Sequence, residues 1–397
     1  MSQNLLLSVS IGEALDKLTI LQIKYENIQD ENKKKEVFNE ISKILPVLTK
    51  YIDSNQYFYK LLYLMNKNIW DEMDILRKLT INDPRFLIET QKSLDDNDAR
   101  CRIKDKINCY FNSDIKEVKG YAKKILFLYG NAGGGDIITM NAAIRYFSQY
   151  YDKVIFHVNP NSQKSTEKMF SSDKNIEPNG LTKLINYDGL ESLNQYISKT
   201  KPEERLFDVK YFGLYVPNRH FESSIYNKRN FYEVFYEDLG LDYKKIKKRY
   251  HHIDRNSENE MSLYNKHILQ NNITEYVFIH DDRNQGKNII NIDTPYYKYH
   301  PNSNMYNDNE NCSKFYDNTK YELTDYIKII ENATEIHMID SSFFCLCAHL
   351  NLDQVKRKVV YLRKQYLYLY VKNNILDINF FKNYGIGEFN WEIKILE

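Results

Sequence analysis

The feature that most constrains this chain is a short apolar run that breaks into glycines and then into a helix. Residues Lys124-Ile-Leu-Phe-Leu-Tyr129 lead directly into Gly130-Asn-Ala-Gly-Gly-Gly-Asp136. The run shows no polar alternation, as expected of a parallel strand covered on both faces. Ile137, Ile138, Met140, Ala142, Ala143, Ile144, Tyr146 and Phe147 then recur at helical spacing. Lys153-Val-Ile-Phe-His-Val158 supplies a second strand. Strand, helix and strand in this order make a right-handed parallel unit. It puts the glycine turn at the carboxyl end of a strand, where open α/β sheets bind ligands.

A second series begins near residue 275. Glu275-Tyr-Val-Phe-Ile-His280 reads as a strand ending in Asp281-Asp282-Arg283, and Ile289-Ile290 as a small strand. Residues 323–333 carry a helical pattern, Glu335-Ile-His-Met-Ile-Asp340 a strand, 341–350 a helix and Lys358-Val-Val-Tyr-Leu362 a further strand. Between the two series the signals weaken. Leu184-Ile-Asn-Tyr187 reads as a strand, Leu206-Phe207 has too little context, and 230–241 is amphipathic ahead of a basic stretch at 244–249.

Before residue 115 no strand pattern competes with helix. Ser10-Ile-Gly-Glu13 has capping-box spacing, with Ser10 capping the third amide and Glu13 reaching back. Apolar faces follow through Leu15, Leu18 and Leu21, then Ile41, Leu48 and Tyr51, then Leu61, Leu62, Met65 and Trp70. Pro46 should kink or break the second helix, and Pro84 interrupts the last. An antiparallel helical hairpin or small bundle is the expected prefix.

At 397 residues the chain is long enough for two or three domains of ~150 residues each. We therefore read an α/β protein with a helical N-terminal domain at 1–115 and two Rossmann-like domains at 116–265 and 266–397. Lys+Arg 55 against Asp+Glu 54 gives a net charge of +1, which argues against nucleic-acid binding through global positive charge while leaving a local basic patch open. No apolar run approaches the ~20 residues of a transmembrane helix. No basic leader precedes the first apolar residues, and the five cysteines form no C-x-x-C pair. These features predict a protein of the reducing cytoplasm. The 34 tyrosines read first as compositional bias and second as a sugar-stacking surface.

Three constellations could carry chemistry. In the first, Gly133, Gly134 and Gly135 let a ligand approach the backbone at a helix start, and Asp136 follows them. The dinucleotide fingerprint fits poorly, because Gly133 and Gly135 would need a third small residue where Ile138 stands. The plainer alternative is that Asp136 serves only as a helix cap. In the second, His280, Asp282, Arg283 and Lys287 follow a strand, and Arg283 and Lys287 suit a diphosphate. A solvated charged loop is the plainer reading. In the third, Ser341 and Ser342 open a helix after Asp340, where hydroxyls and free amides receive a phosphate or merely cap. The histidines show no metal-ligand spacing, so no metal is expected.

Taken together these residues resemble a known family. Leu128-Tyr-Gly-x-x-Gly-Gly-Gly-Asp-Ile-Ile, followed by Asn141-Ala-Ala-Ile-Arg145, looks like the N-terminal turn of GT-B glycosyltransferases related to the heptosyltransferases. Phe278-Ile-His-Asp-Asp282, Glu331-Asn-Ala and Ile336-His-Met-Ile-Asp-Ser-Ser-Phe343 resemble the donor half of glycosyltransferases from polysaccharide clusters and large DNA viruses. Ser10 to Lys24 is similar to a small helical domain of unknown function found beside glycosyltransferases.

The resemblance implies two Rossmann-like domains in GT-B arrangement. It implies a glycan or glycoconjugate acceptor beside Gly133–Asp136, with Asp136 as catalytic base. It places a nucleotide-sugar at His280, Asp282, Arg283, Lys287, Ser341 and Ser342, with no cofactor beyond that co-substrate. The helical prefix would serve homo-oligomerisation or partner docking. A sugar-nucleotide epimerase or dehydrogenase, and a non-catalytic nucleotide-binding protein, remain open alternatives.

Overall fold

A computed structural model describes residues 8–115, 123–130, 133–179, 205–213, 216, 230–282, 286–301, 321–372, 375–385 and 389–396. The expected strand at 184–187, residue Arg283 and Cys312 lie outside these.

Four helices form the prefix: α1 (Ile11–Asn27), α2 (Glu31–Ser54), α3 (Gln56–Leu76) and α4 (Pro84–Tyr110). Half of the expected capping box forms. Ser10 accepts the amide of Glu13 at 3.1 Å, but the Glu13 carboxylate instead takes the ammonium of Lys104 on α4 at 2.8 Å. Pro46 does not break α2, which runs through it. Among its described residues only Leu48 is buried, and Ser42, whose carbonyl loses its donor, is exposed, so water can serve that group. Pro84 opens α4 at its first turn, where its missing N–H has no partner to lose.

The rest of the chain builds two parallel sheets. The first takes β1 (Lys123–Tyr129), β2 (Lys153–His157), β3 (Ile176–Asn179) and β4 (Arg205–Tyr211) in the order β3-β2-β1-β4. α5 (Gly134–Tyr150) crosses from β1 to β2, and α6 (Gln163–Met169) lies between β2 and β3. Strand β1 is central, with Leu126 paired to Val154 on one side and to Asp208 on the other. Then come α7 (Phe231–Asp238), α8 (Tyr243–Tyr250) and α9 (Ser257–His267).

The second sheet contains β5 (Tyr276–His280), β6 (Tyr297–Tyr299), β7 (Glu335–Ile339) and β8 (Arg357–Leu362). A two-residue pair, β9 (Val371–Lys372) and β10 (Ile375–Leu376), stands apart, and β11 (Glu392–Ile395) returns to the sheet in the order β11-β8-β7-β5-β6. Helices α10 (Ile327–Glu331), α11 (Ser342–Cys347) and α12 (Ile378–Tyr384) accompany it. The expected helix over 323–333 is divided, its first turn being a 3-10 turn at Leu323–Tyr326. Ile289-Ile290 is not a strand. Ile290 is buried and its amide donates to the Asp281 carboxylate, closing a loop instead.

Tyrosine finds a structural use where the two sheet units meet. α12, late in the chain, packs onto helices of the first unit. The hydroxyls of Tyr232 and Tyr243 donate to the carbonyls of Phe380 and Tyr384 at 3.0 and 2.7 Å. Tyr384 in turn bonds Thr139 of α5 at 2.8 Å. A tyrosine fills such a core with its ring and satisfies a backbone acceptor with its hydroxyl.

The prefix is fastened to the first sheet unit by buried charge. Lys106 of α4 reaches Asp173 at 2.9 Å, and Arg145 of α5 lies 3.6 Å from Asp173 and 3.2 Å from Asp254. The Arg145 guanidinium lies over the rings of Tyr57 and Phe170, at 4.9 and 5.0 Å. Burial opposes its charge, yet the Asp254 and Asp173 carboxylates keep its pKa above the ordinary value.

Candidate functional site

In a parallel sheet every strand's carboxyl end lies on one edge, so the loops after β1, β5, β7 and β8 are where side chains from distant sequence can converge. Gly133 caps α5 without a side chain, and the Asp136 carboxylate accepts a backbone hydrogen bond from it. A Cβ on Gly133 would stand 3.0 Å from Asp136 Oδ2, so the glycine keeps room for this return contact. Asp136 is half-buried. Desolvation pushes its pKa up to about 6, against the lowering effect of the Gly133 bond. It is therefore both a helix cap and a carboxyl poised near neutrality.

In the second unit, β5 delivers His280, Asp281 and Asp282. Asp281 is buried and binds the loop amide of Ile290 at 2.8 Å, a structural task. Asp282 is half-buried and accepts from Asn288 at 2.8 Å and from Arg363 Nη1 at 3.2 Å. Arg363 follows β8 immediately. Its Nε donates to the Asp340 carboxylate at 2.7 Å and its Nη2 to the Asp340 carbonyl at 2.6 Å. One guanidinium thus ties together the ends of β5, β7 and β8. Burial raises the Asp340 pKa despite Arg363, while the two carboxylates hold the Arg363 charge against desolvation.

The two predicted serines do different things. Ser341 Oγ hydrogen-bonds His280 Nδ1 at 3.1 Å, and burial pushes the His280 pKa down to about 4, leaving a neutral ring at pH 7. Ser342, the first residue of α11, packs against the glycine turn of the other unit. A Cβ on Gly134 would stand 3.5 Å from Ser342 Cβ. A Cβ on Gly135 would stand 3.7 Å from Ser342 Cα and 3.0 Å from Cys345 Sγ. Only the contact with Cys345 Sγ is tighter than ordinary packing, so Gly135 rather than Gly134 eases the approach of the two helix starts, one from each sheet unit.

The structure brings together Gly134, Gly135 and Ser342, and separately His280 with Ser341 and Asp282 with Arg363. Lys287 is exposed on the loop, with its amide bonded to the Asp282 carbonyl at 3.3 Å. Arg363 was missed by motif reading. Its signal was positional, as the residue that immediately follows the apolar strand 358–362. Among the tyrosines of this region Tyr299 is core, packed on Phe278 and His267, whereas Tyr296 and Tyr297 are half-buried. Among the described residues no group of three or more His, Cys, Asp and Glu could hold a metal ion, and no helix is long and apolar enough to cross a membrane.

A family of unknown function, DUF6165, matches residues 5–128. The match spans the helical prefix and ends inside β1. No curated protein matches the chain. Among solved structures the chain is similar to a glycosyl transferase family 9 protein from Veillonella parvula, at 11% identity over 71% of this chain and 89% of that one, with a TM-score of 0.38. It is also similar to the dodecameric iron-containing heptosyltransferase TibC in complex with ADP-D-beta-D-heptose, at 11% identity over 66% of this chain and 65% of that one, with a TM-score of 0.37. Another TibC structure, from enterotoxigenic E. coli, matches at 12% identity over 63% and 61%, with a TM-score of 0.34.

Proposed function

We propose that this chain is a glycosyltransferase that moves a sugar from a nucleotide-sugar to a hydroxyl of a glycan or other acceptor, without a metal. The observation that carries the reading is the contact of the Gly134-Gly135 turn with Ser342, which sets the ligand-binding edges of two parallel sheets beside each other. The domains would be a helical one at 1–115, an acceptor-side one at 116–265 and a donor-side one at 266–397.

Asp136 takes the proton from the acceptor hydroxyl, and that oxygen attacks the anomeric carbon. The bond from carbon to diphosphate breaks, and the nucleoside diphosphate leaves with the electron pair. A single displacement inverts the anomeric centre. Arg283 and Lys287 balance the charge of the departing diphosphate, Ser341 and Ser342 offer hydroxyls to it, and Arg363, its charge already taken by Asp282 and Asp340, holds the strand ends that position them. His280, neutral at pH 7, orients Ser341.

The experiment is a thermal-shift panel of nucleoside diphosphates and their sugars. A ligand bound only by the folded state raises the melting temperature with the logarithm of its concentration over its Kd. One nucleotide series should stabilise the protein, and Arg363→Lys should weaken that binding roughly tenfold, because lysine cannot reproduce the planar fork. The absence of any stabilising nucleotide contradicts the reading.

A non-catalytic nucleotide-binding reading is favoured by one observation. The bond between Asp136 and Gly133 already gives the acid a capping task.

A further inference from the structure

Away from the strand ends, a cleft of about 730 Å³ lies between α8 with the chain that follows it and the second unit's α10 and α12. Among the described residues, none of those proposed above for sugar transfer lines it, and no carboxylate does. Its size suits a small molecule. Its cations are unequally engaged. Arg255 turns away to Glu260 and Glu331, bonding both at 2.9 Å or less. Lys247 donates to the carbonyls of Asn383 and Gly385 at 2.6 and 2.7 Å. Lys244, Lys248 and Lys382 are exposed and have no ion-pair partner among the described residues. Burial, and after it the nearby Lys244, push the Lys247 pKa down to about 8.

A second observation points to a ligand rather than to a solvated lysine face. His251 lines the same cleft, and both its ring nitrogens are buried without a hydrogen-bond partner. Buried polar groups are ordinarily satisfied, so an orphaned imidazole in the wall of a lysine-lined cleft calls for a partner that a turn of the ring brings within reach. The neighbouring rings cannot provide it. His349 stacks on His251 at 4.3 Å, with its own Nδ1 bonded to the Cys345 carbonyl at 2.7 Å. His252 faces Asp254 at 3.0 Å.

We propose that this cleft is a second anion site, separate from the strand-end cluster, that takes a phosphate-bearing ligand of at least two negative charges. Lys244, Lys248 and Lys382 supply the counter-charge, and the His251 ring, whose nitrogens now face inward, turns toward the cleft to donate an N–H to a phosphate oxygen. Because Lys244 and Lys248 belong to the first unit and Lys382 to the second, the ligand bridges the two. The phosphate could belong to a soluble metabolite or to a lipid headgroup.

Inorganic pyrophosphate is the probe. Calorimetric titration of the full chain should show binding, and the triple variant Lys244→Ala, Lys248→Ala, Lys382→Ala should weaken it by about tenfold or more. These lysines are exposed, so the variant should fold, which its melting temperature verifies. In the wild type the His251 C2–H resonance should move on titration, which locates the binding in this cleft. Ser341→Ala should leave the His251 response intact. Failure of pyrophosphate to bind, or unchanged affinity in the triple variant with a still His251 signal, overturns the proposal. Co-sedimentation with phosphatidylcholine vesicles that requires both added phosphatidate and the three lysines identifies a lipid headgroup as the source. Pyrophosphate binding without such co-sedimentation identifies a soluble one.

Discussion

Two arginines, Arg145 and Arg363, each bridge two aspartates, and they sit in opposite settings. Arg145 is fully enclosed, between Asp173 and Asp254, with the rings of Tyr57 and Phe170 against its guanidinium and the carbonyls of His252 and Met169 as further acceptors. Arg363 bridges Asp282 and Asp340 at the ends of three strands, with its side chain 14% exposed. The same residue types serve a dry joint in one place and an accessible edge in the other. What differs is the position in the sheet. Arg145 emerges from the middle of α5, beneath the helical prefix, whereas Arg363 emerges where ligands meet parallel sheets.

This contrast predicts different failures. Asp173→Ala leaves Lys106 and Arg145 buried with a missing counter-charge. It should cost about 3–5 kcal/mol in denaturant unfolding, and nucleotide binding should survive in whatever fraction remains folded. A loss below about 1 kcal/mol would mean that water reaches the joint. Arg363→Lys should invert the pattern. Stability should fall less than in Asp173→Ala, because lysine keeps a positive charge beside the buried Asp340, while nucleotide affinity falls roughly tenfold. Equal effects of the two changes on binding would erase the distinction drawn between the clusters.

A smaller effect is expected from pH. The folded-state pKa of Asp136 is raised to about 6 from an ordinary value of 3.8, so the folded protein binds the extra proton more tightly than the unfolded chain does. Its contribution to stability is therefore fully present below about pH 4 and is lost as pH rises through about 6. Activity should run the other way, because a base must be unprotonated. Transfer should fall as pH drops through about 6, and this acid limb should be missing from the residual activity of Asp136→Asn.

The strands legible in the sequence were those buried on both faces. β1, β5 and β8 are apolar over their central residues, β7 is broken only by His337, and each ends within a residue or two of its expected boundary. The strands that escaped notice lie at or near sheet edges. β4 carries Asp208 and Lys210 because one of its sides is open, and β3 holds Pro178, a residue an edge tolerates. In the prefix, Pro46 misled because its helix is the least buried of the four and the carbonyl that loses its donor, on Ser42, belongs to an exposed residue.

The site was partly legible. Gly133–Asp136 and Ser341-Ser342 stand out because helix starts after strands have recognisable spacing. That Ser342 would pack against the glycine turn was not readable, since residues 135 and 342 are joined only by the docking of the two units. Arg363 belongs to no local motif, and only tertiary convergence gives it meaning.

The central claim is tested most directly by sugar transfer from the nucleotide-sugar that the thermal-shift panel selects, measured for wild type and Asp136→Asn. Asparagine can still accept the Gly133 amide, so the helix start and nucleotide affinity should be preserved. Transfer should fall by roughly 10²–10⁴-fold, the usual contribution of a general base. Transfer by Asp136→Asn at the wild-type rate would contradict the account and leave Asp136 as a helix cap.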